Sequence, residues 1–484
     1  VVGAGADATR STPSAPAPPR MERASFTDRL DRTLVHPVLG LLVFALVMTG
    51  LFWSIFKLAT YPMDWIDAGF AWAVGAIEGA MPAGLLRDFL AQGVVAGVGA
   101  TVVFVPQIAL LFFLIALLED TGYLARATLL MDRLLRPFGL PGHAFVPLLS
   151  SHACALPGIM ATRAIPDRRD RLATILVAPF MTCSARLPVY VLVTTVLFPR
   201  SPALAALAFV GCYALGIVAG LLSAILVRGT LLKGPRRPML LELPTYKRPS
   251  VRTALLTTYD RAWTFLKNAG TVILAICVVL WWLSAFPHVD PPREAVELRE
   301  RAAVVTGSGG AGPGGTALQS GQQDAAGLAP TADDLLAEAA RLEARHAQAN
   351  SFAGMIGRAV QPVFAPMGAD WQLTIGIVTS FAAREVFVST MAVIVTGEGE
   401  DAEGVVERIA TAERTDGSGP VFNRPASWAV LVFYVLAMQC LPTLAVTARE
   451  AGGAKWALLQ LAWMSGVAFV AATLVYQVLR ALGM

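Results

Sequence analysis

The sequence predicts an all-α, polytopic membrane protein with about seven full spans and two re-entrant hairpins arranged as an inverted repeat. Three observations lead there. The 484 residues are 55% hydrophobic and only 15% charged, with a mean hydropathy of +0.60, which excludes a soluble globular protein. Apolar runs long enough to cross a bilayer recur along the chain. Segments 143–162 and 371–395 are apolar but interrupted by polar residues, glycine or proline. Lipid tolerates such interruptions only where protein or water satisfies the freed backbone groups. The net charge of +4 is small for this length and gives no argument for nucleic acid.

The elements follow in order. Residues 1–30, rich in Ala, Pro and Ser, read as a flexible tail without a signal-peptide core. The chain does not begin with Met, which leaves open a fragment or a processed form. Residues 31–286 form a first membrane half. Its first span is 38–60, and 61–90, with Trp65, Trp72 and Pro82, reads as interfacial helix and loop. Gate repeat 1, about 94–227, opens with a span at 94–118 that ends at Glu119-Asp120. It continues with the hairpin at 143–162, broken by Pro147, Pro157 and Gly158, and the spans 172–198 and 204–227. A basic connector, 228–267, leads to the fifth span at 269–286.

Residues 287–350 are a polar insert. Its Gly/Ala-rich middle, 307–315, is expected to be disordered. Its end, 333–349, carries Leu335, Leu336 and Leu342 at near-helical spacing. Residues 351–484 form the second membrane half with gate repeat 2: the hairpin at 371–395 and spans at 428–447 and 456–482. Lys and Arg concentrate in 119–142, 163–171 and 228–267, whereas the insert is acidic. The basic connectors and the N-terminus are therefore expected in the cytoplasm and the insert outside, with the direction of the last two spans open. The two halves also echo each other. Arg133-Leu-Leu-Arg-Pro137-Phe-Gly-Leu-Pro-Gly142 precedes the first hairpin, and Arg358-Ala-Val-Gln-Pro362-Val-Phe-Ala-Pro-Met-Gly368 precedes the second.

Two runs carry the chemistry: Ser150-Ser151-His152-Ala153-Cys154-Ala155-Leu156-Pro157-Gly158 and Met181-Thr182-Cys183-Ser184-Ala185-Arg186-Leu187-Pro188. Cys183 falls roughly 16 Å into its span, near the bilayer midplane. Arg186 beside it costs at least about 2.5 kcal/mol at that depth, so it is expected to pair with a carboxylate. The candidate ligands are Cys154, Cys183 and Cys440, with His152 and Glu385; Ser184, Arg186, Glu119 and Asp120 are candidate supports of an ion path. Pro157, Gly158 and Pro188 loosen the backbone around the thiols. Cysteine, histidine and carboxylate together suit a borderline divalent cation such as Fe²⁺, Zn²⁺ or Mn²⁺. The absence of a Cys-x-x-Cys pair favours transit over storage.

Plainer readings stand beside these. Glu385 neutralises Arg384 or Arg186, Glu119-Asp120 cap a helix or pair with Arg126, and His152 is a hydrogen-bonded core residue. Cys212 and Cys277 read as small buried hydrophobes, and no disulfide framework is expected. No phosphate-binding Gly-x-x-x-x-Gly-Lys-Ser/Thr loop occurs, so no nucleotide is expected on this chain. No His-Glu-x-x-His or Gly-x-Ser-x-Gly constellation suggests an enzyme either.

The run Pro106-Gln-Ile-Ala-Leu-Leu-Phe-Phe-Leu-Ile-Ala-Leu-Leu-Glu-Asp-Thr-Gly-Tyr-Leu-Ala-Arg126 resembles the membrane domain of the bacterial ferrous iron transporter B family. So do Pro157-Gly-Ile-Met-Ala-Thr-Arg163, Arg168-Arg-Asp-Arg171, Ala178-Pro-Phe-Met-Thr-Cys-Ser-Ala-Arg-Leu-Pro-Val-Tyr190, Phe381-Ala-Ala-Arg-Glu-Val386 and Cys440-Leu-Pro-Thr-Leu444. The resemblance implies Fe²⁺ uptake across the inner membrane through two gate repeats, similar to the architecture of nucleoside transporters. The family's N-terminal GTP-binding domain and helical spacer have no counterpart in this chain, so GTP hydrolysis is not expected of it. The resemblance leaves room for a separate GTP-binding protein, a small cytoplasmic accessory protein and a homo-oligomer as partners. The family's first gate motif reads Gly-Phe-Gly-Cys-Asn-Val-Pro-Gly. Here Ser151, His152, Ala153, Ala155 and Leu156 replace five of its members while Cys154 stays, and His152 is the compensating ligand candidate. Arg384 stands for the usual Lys, and Gln439 for a Pro, where it offers a carbonyl ligand. Two rivals remain at this stage: a gate-type transporter of a nucleoside or other small solute, and a non-transporting membrane scaffold or regulator. Aromatic and amide groups at the hairpins would favour the first, and capture of a protein partner without Fe²⁺ binding the second.

Overall fold

The computed structural model describes residues 30–32, 34–82, 84–234, 246–308, 331–381, 384, 386–396, 405–412, 414, 419–438 and 440–483. The regular elements among them are helices. Helix α1 runs over Leu39–Ala80 and passes straight through Pro62. The sequence suggested a break near residue 60. Proline removes only one backbone donor, and residues 61–80 contain no cluster of turn formers to end the helix. Helix α2, Val105–Asp120, is bent by 90° from the segment that follows it. The elbow is Gly122, whose φ of 77° opens α3, Tyr123–Leu135; only glycine takes that conformation cheaply.

From α3 onward the two halves share one order of elements. In the first, α3 runs into a 3₁₀ turn, Arg136–Phe138, that stops at Gly139 with φ 83°. Helices α4, Phe145–Ala153, and α5, Ala155–Ala161, form the hairpin. Helices α6, Arg168–Val177, and α7, Leu187–Leu197, form a broken span, and α8, Pro202–Thr230, an unbroken one. Helices α9, Val251–Phe265, and α10, Thr271–Ala285, then lead to the insert. The insert contributes α11, Arg293–Ser308, and α12, Ala332–Asn350. In the second half α13, Phe352–Phe364, runs into a 3₁₀ turn, Ala365–Met367, that stops at Gly368 with φ 80°. Helices α14, Trp371–Thr379, and α15, Val386–Thr396, follow, then the broken span α16, Arg424–Leu436, and α17, Leu441–Glu450, and finally α18, Ala454–Ala481. The repeated sequence thus marks a repeated structure: an amphipathic helix, a left-handed glycine stop, a hairpin and a broken span.

Among the described residues five elements are long and apolar enough to cross a membrane: α1, Arg168–Leu197, α8, Arg424–Glu450 and α18, with a sixth if the bent pair is one span. The chain is a multi-pass membrane protein. The shortfall from about seven lies at 94–118 and 269–286. The first is divided by a π-helical turn, Phe89–Val95, and the short helix Ala96–Val102. The second is only 15 residues long, at Thr271–Ala285, against about 20 for an upright crossing. Residues 1–29 and 309–330 lie outside the described residues. The expected soluble helix at 333–349 is α12, opened by a capping box between Thr331 and Asp334.

Candidate cation site at the helix breaks

Each half breaks its hairpin and its span, and the four breaks meet. Cys154 interrupts α4 and α5 in an extended conformation, with φ −156°. Cys440 does the same before α17, also at φ −156°. Cys183 precedes a 3₁₀ turn, Ser184–Arg186, that leads into α7. Arg384 lies in the break between α14 and α15. Each helix that starts after a cysteine carries proline in its first turn: Pro157, Pro188 and Pro442. Proline fits there because first-turn N–H groups have no intrahelical partner.

These breaks enclose one cavity of about 150 Å³, lined among others by Cys154, Cys183, Cys440, Ser184, Arg384 and Cys277. A hydrogen bond joins hairpin to span in both halves. Ser184 Oγ donates to the Ala153 carbonyl at 3.0 Å, and the Leu441 N–H donates to the Phe381 carbonyl at 3.2 Å.

Arg186 is fully buried. It donates to the carbonyls of Pro179 at 3.0 Å, Phe180 at 3.2 Å and Ala437 at 3.3 Å. Its partners are carbonyls at the ends of α6 and α16, where the sequence suggested a carboxylate. Broken helices leave C-terminal carbonyls without donors, and at this depth a five-donor guanidinium can replace the missing water. Arg384 donates to the same Ala437 carbonyl at 3.4 Å and holds its other terminal nitrogen 4.0 Å from Cys183 Sγ.

The other candidates lie apart. His152 faces a separate apolar cavity, where its ring stacks on Tyr213 at 6.4 Å and meets Phe52 edge-on at 6.3 Å. Glu119 and Asp120 are exposed at the end of α2, and the Asp120 carboxylate accepts the Ser250 N–H at the start of α9. Arg126 pairs instead with Asp31, at 2.9 Å. Glu385 and Gln439 lie outside the described residues. Gly158 is required where it stands: a Cβ there would sit 1.9 Å from Ser151 Oγ and 2.7 Å from the Pro147 carbonyl. Among the described residues no three His, Cys, Asp or Glu are grouped closely enough to hold a metal ion. Among the lining residues, sequence reasoning gave Cys277 no role, because it sits in a plain apolar run. Arg384 was read as a partner for Glu385 and as the stand-in for the family's Lys, not as part of the cavity wall.

The fold and this cavity define a polytopic helical membrane protein whose two halves repeat one order of elements. A family model described as Gate, nucleoside recognition, matches residues 101–197 and 266–454, and one described as the ferrous iron transport protein B C terminus matches 209–261. The chain belongs to the Gate, nucleoside recognition, family. It is 37% identical to the Fe(2+) transporter FeoB of Leptospira interrogans over 93% of this chain and 59% of that protein. It is 32% identical to the FeoB of Staphylococcus aureus over 95% of this chain and 60% of that protein. It is 35% identical to a fusion of Fe(2+) transport protein A and Fe(2+) transporter FeoB from Porphyromonas gingivalis, over 94% of this chain and 52% of the fusion. The chain therefore spans about half to three fifths of these relatives. No solved structure matches it.

Proposed function

We propose that this chain carries Fe²⁺ across the cytoplasmic membrane through the cavity lined by Cys154, Cys183 and Cys440. The observation that carries the reading is the convergence of three thiols from both repeats on one buried space. Its volume of about 150 Å³ lies below the roughly 300–1,000 Å³ of pockets that take organic ligands. That favours a partly dehydrated cation over a nucleoside. Soft sulfur selects Fe²⁺ or Zn²⁺ over Mg²⁺ and Ca²⁺. A cation entering beside the Arg384 guanidinium needs compensating negative charge, which thiolates supply as binding releases their protons. Glu385, next to Arg384 in the chain, is proposed to add a carboxylate. Moderate binding suits a site the ion must also leave. Two repeats with broken helices around one site fit alternating access by rocking of one repeat against the other.

Gating by a GTP-binding protein acting on the basic connectors belongs to the same proposal. A small accessory protein is a second proposed partner, because the Porphyromonas gingivalis relative is named as a fusion of transport protein A with the transporter. The test is Fe²⁺ uptake into proteoliposomes. Cys183→Ser is expected to lower uptake at least about tenfold, the scale seen when a metal's close surroundings are altered. Unchanged uptake by the Cys154→Ser, Cys183→Ser double variant would sink the ion route.

A further inference from the structure

A second cavity, about 190 Å³, lies between α5 and α17, the half-helices that begin at Cys154 and Cys440. Leu156, Phe265 and Val446 form its apolar wall, and Arg163, Arg449 and Glu450 its charged mouth. Leu156 and Phe265 line both this space and the thiol cavity. Both are buried, with 5% and 7% exposure, so together they form an apolar partition between the two. At the mouth Arg163, at the end of the first hairpin, grips Glu450, at the end of the second broken span, through both of its oxygens. Arg163 is 60% exposed, whereas Glu450 is only 10% exposed. Arg163 precedes the Arg168–Arg171 cluster, and Phe265 ends the basic connector, so this mouth faces the cytoplasm.

We infer that this space is the cytoplasmic vestibule of the cation route, gated by Leu156 and Phe265, and that Glu450 is a divalent-cation ligand masked by Arg163 when the gate is shut. The inference rests on the iron-transport reading for its cargo, but not for its geometry. With the ion pair closed, the Glu450 carboxylate is neutralised by Arg163 and withheld from a cation. When Arg163 swings away, the carboxylate faces the vestibule and receives the ion as it leaves the thiols. The pair also couples the repeats, because α5 and α17 cannot separate without breaking it.

The test uses the protein in inside-out vesicles. A membrane-impermeant thiol reagent is added from the cytoplasmic side, and its attachment to Cys154 is followed by mass spectrometry. Phe265→Ala and Arg163→Gln are each expected to speed labelling about fivefold, the scale of a half-exposed ion pair for the second. Fe²⁺ flux in the same vesicles separates latch from ligand. Arg163→Gln and Glu450→Gln break the same pair and should both speed labelling, but only Glu450→Gln should lower flux. Labelling unchanged in Phe265→Ala and Arg163→Gln would overturn the gate. Equal changes in flux for Arg163→Gln and Glu450→Gln would overturn the ligand role. Faster labelling in the two variants, with no Fe²⁺ moved by the parent, would support the gate while removing iron as its cargo.

Discussion

A charged side chain at mid-membrane reads from sequence as half of an ion pair, but Arg186 is held by carbonyls instead. Its three carbonyl partners lie just past the ends of α6 and α16, one helix in each half, so it acts as the donor set that two broken helices lack. Lysine cannot reach three divergent acceptors with one ammonium group. Arg186→Lys should therefore destabilise the protein by about 2–3 kcal/mol, a loss set by unsatisfied buried carbonyls, read as lower thermal stability in detergent. A melting temperature equal to the parent's would remove this role. Gly158 tests packing in the same way. A methyl group there meets both the Ser151 hydroxyl and the Pro147 carbonyl, so Gly158→Ala should cost about 1–3 kcal/mol. Ser151→Ala should restore only part of it, because the backbone carbonyl stays. The thiols were legible in the sequence because polar groups at expensive depth stand out. Cys277 was not, since a cysteine in an apolar run looks the same whether it faces lipid or a cavity. His152 stands where the family motif has Phe and was read as a compensating ligand, yet the structure turns it toward Phe52 and Tyr213.

At the scale of elements, the 90° elbow between α2 and α3 is held by a cluster outside the apolar spans. Arg126, 1% exposed, donates to Asp31 at 2.9 and 3.3 Å and to the Gly122 carbonyl at 3.0 Å. The Tyr246 ring covers its guanidinium at 4.1 Å, and the Tyr246 hydroxyl donates to Asp31 at 2.9 Å. One carboxylate thus ties the segment before α1 and the basic connector to the elbow. Burial by itself would raise the Asp31 pKa, but the hydrogen bonds from Arg126 and Tyr246 outweigh it and hold the carboxyl below its ordinary 3.8. The sign follows: the stabilisation is complete above the ordinary value and is lost as pH falls through the lower folded value. Acidification below about pH 4 should lower the parent's melting temperature by a step absent from Asp31→Asn, which should already melt lower at neutral pH. Identical acid profiles would remove the clamp. Nothing in the sequence linked Asp31 to Arg126 across the first span, whereas the two glycine stops at Gly139 and Gly368 were foreshadowed by the repeated Pro- and Gly-rich runs. The α1 overrun was hidden because Pro62 and the tryptophans beyond it look like an interfacial boundary, and only packing shows the helix continuing.

For the whole molecule, hydropathy and charge bias made the membrane class and the two halves legible, because both are sums over long windows. The meeting of four breaks at one cavity was not, since no window spans residues as far apart as Cys154 and Cys440. The insert between the halves shows the same division. Its ends are joined: the Phe352 N–H donates to the Phe286 carbonyl at 2.7 Å. Its two helices pair with each other through Arg299 and Glu343 at 2.7 Å, and α12 rests on α10 and α15. A module whose entry and exit touch is removable without re-routing the chain. Replacing 288–350 with a short Gly/Ser linker should therefore leave membrane insertion and thiol-reagent labelling of Cys183 unchanged. Melting should fall by only about 5 °C for the lost contacts on α10 and α15. If the shortened chain failed to insert, or Cys183 became freely reactive, the insert would have to be counted as part of the membrane fold, holding α15 and with it the Arg384 edge of the cavity in place.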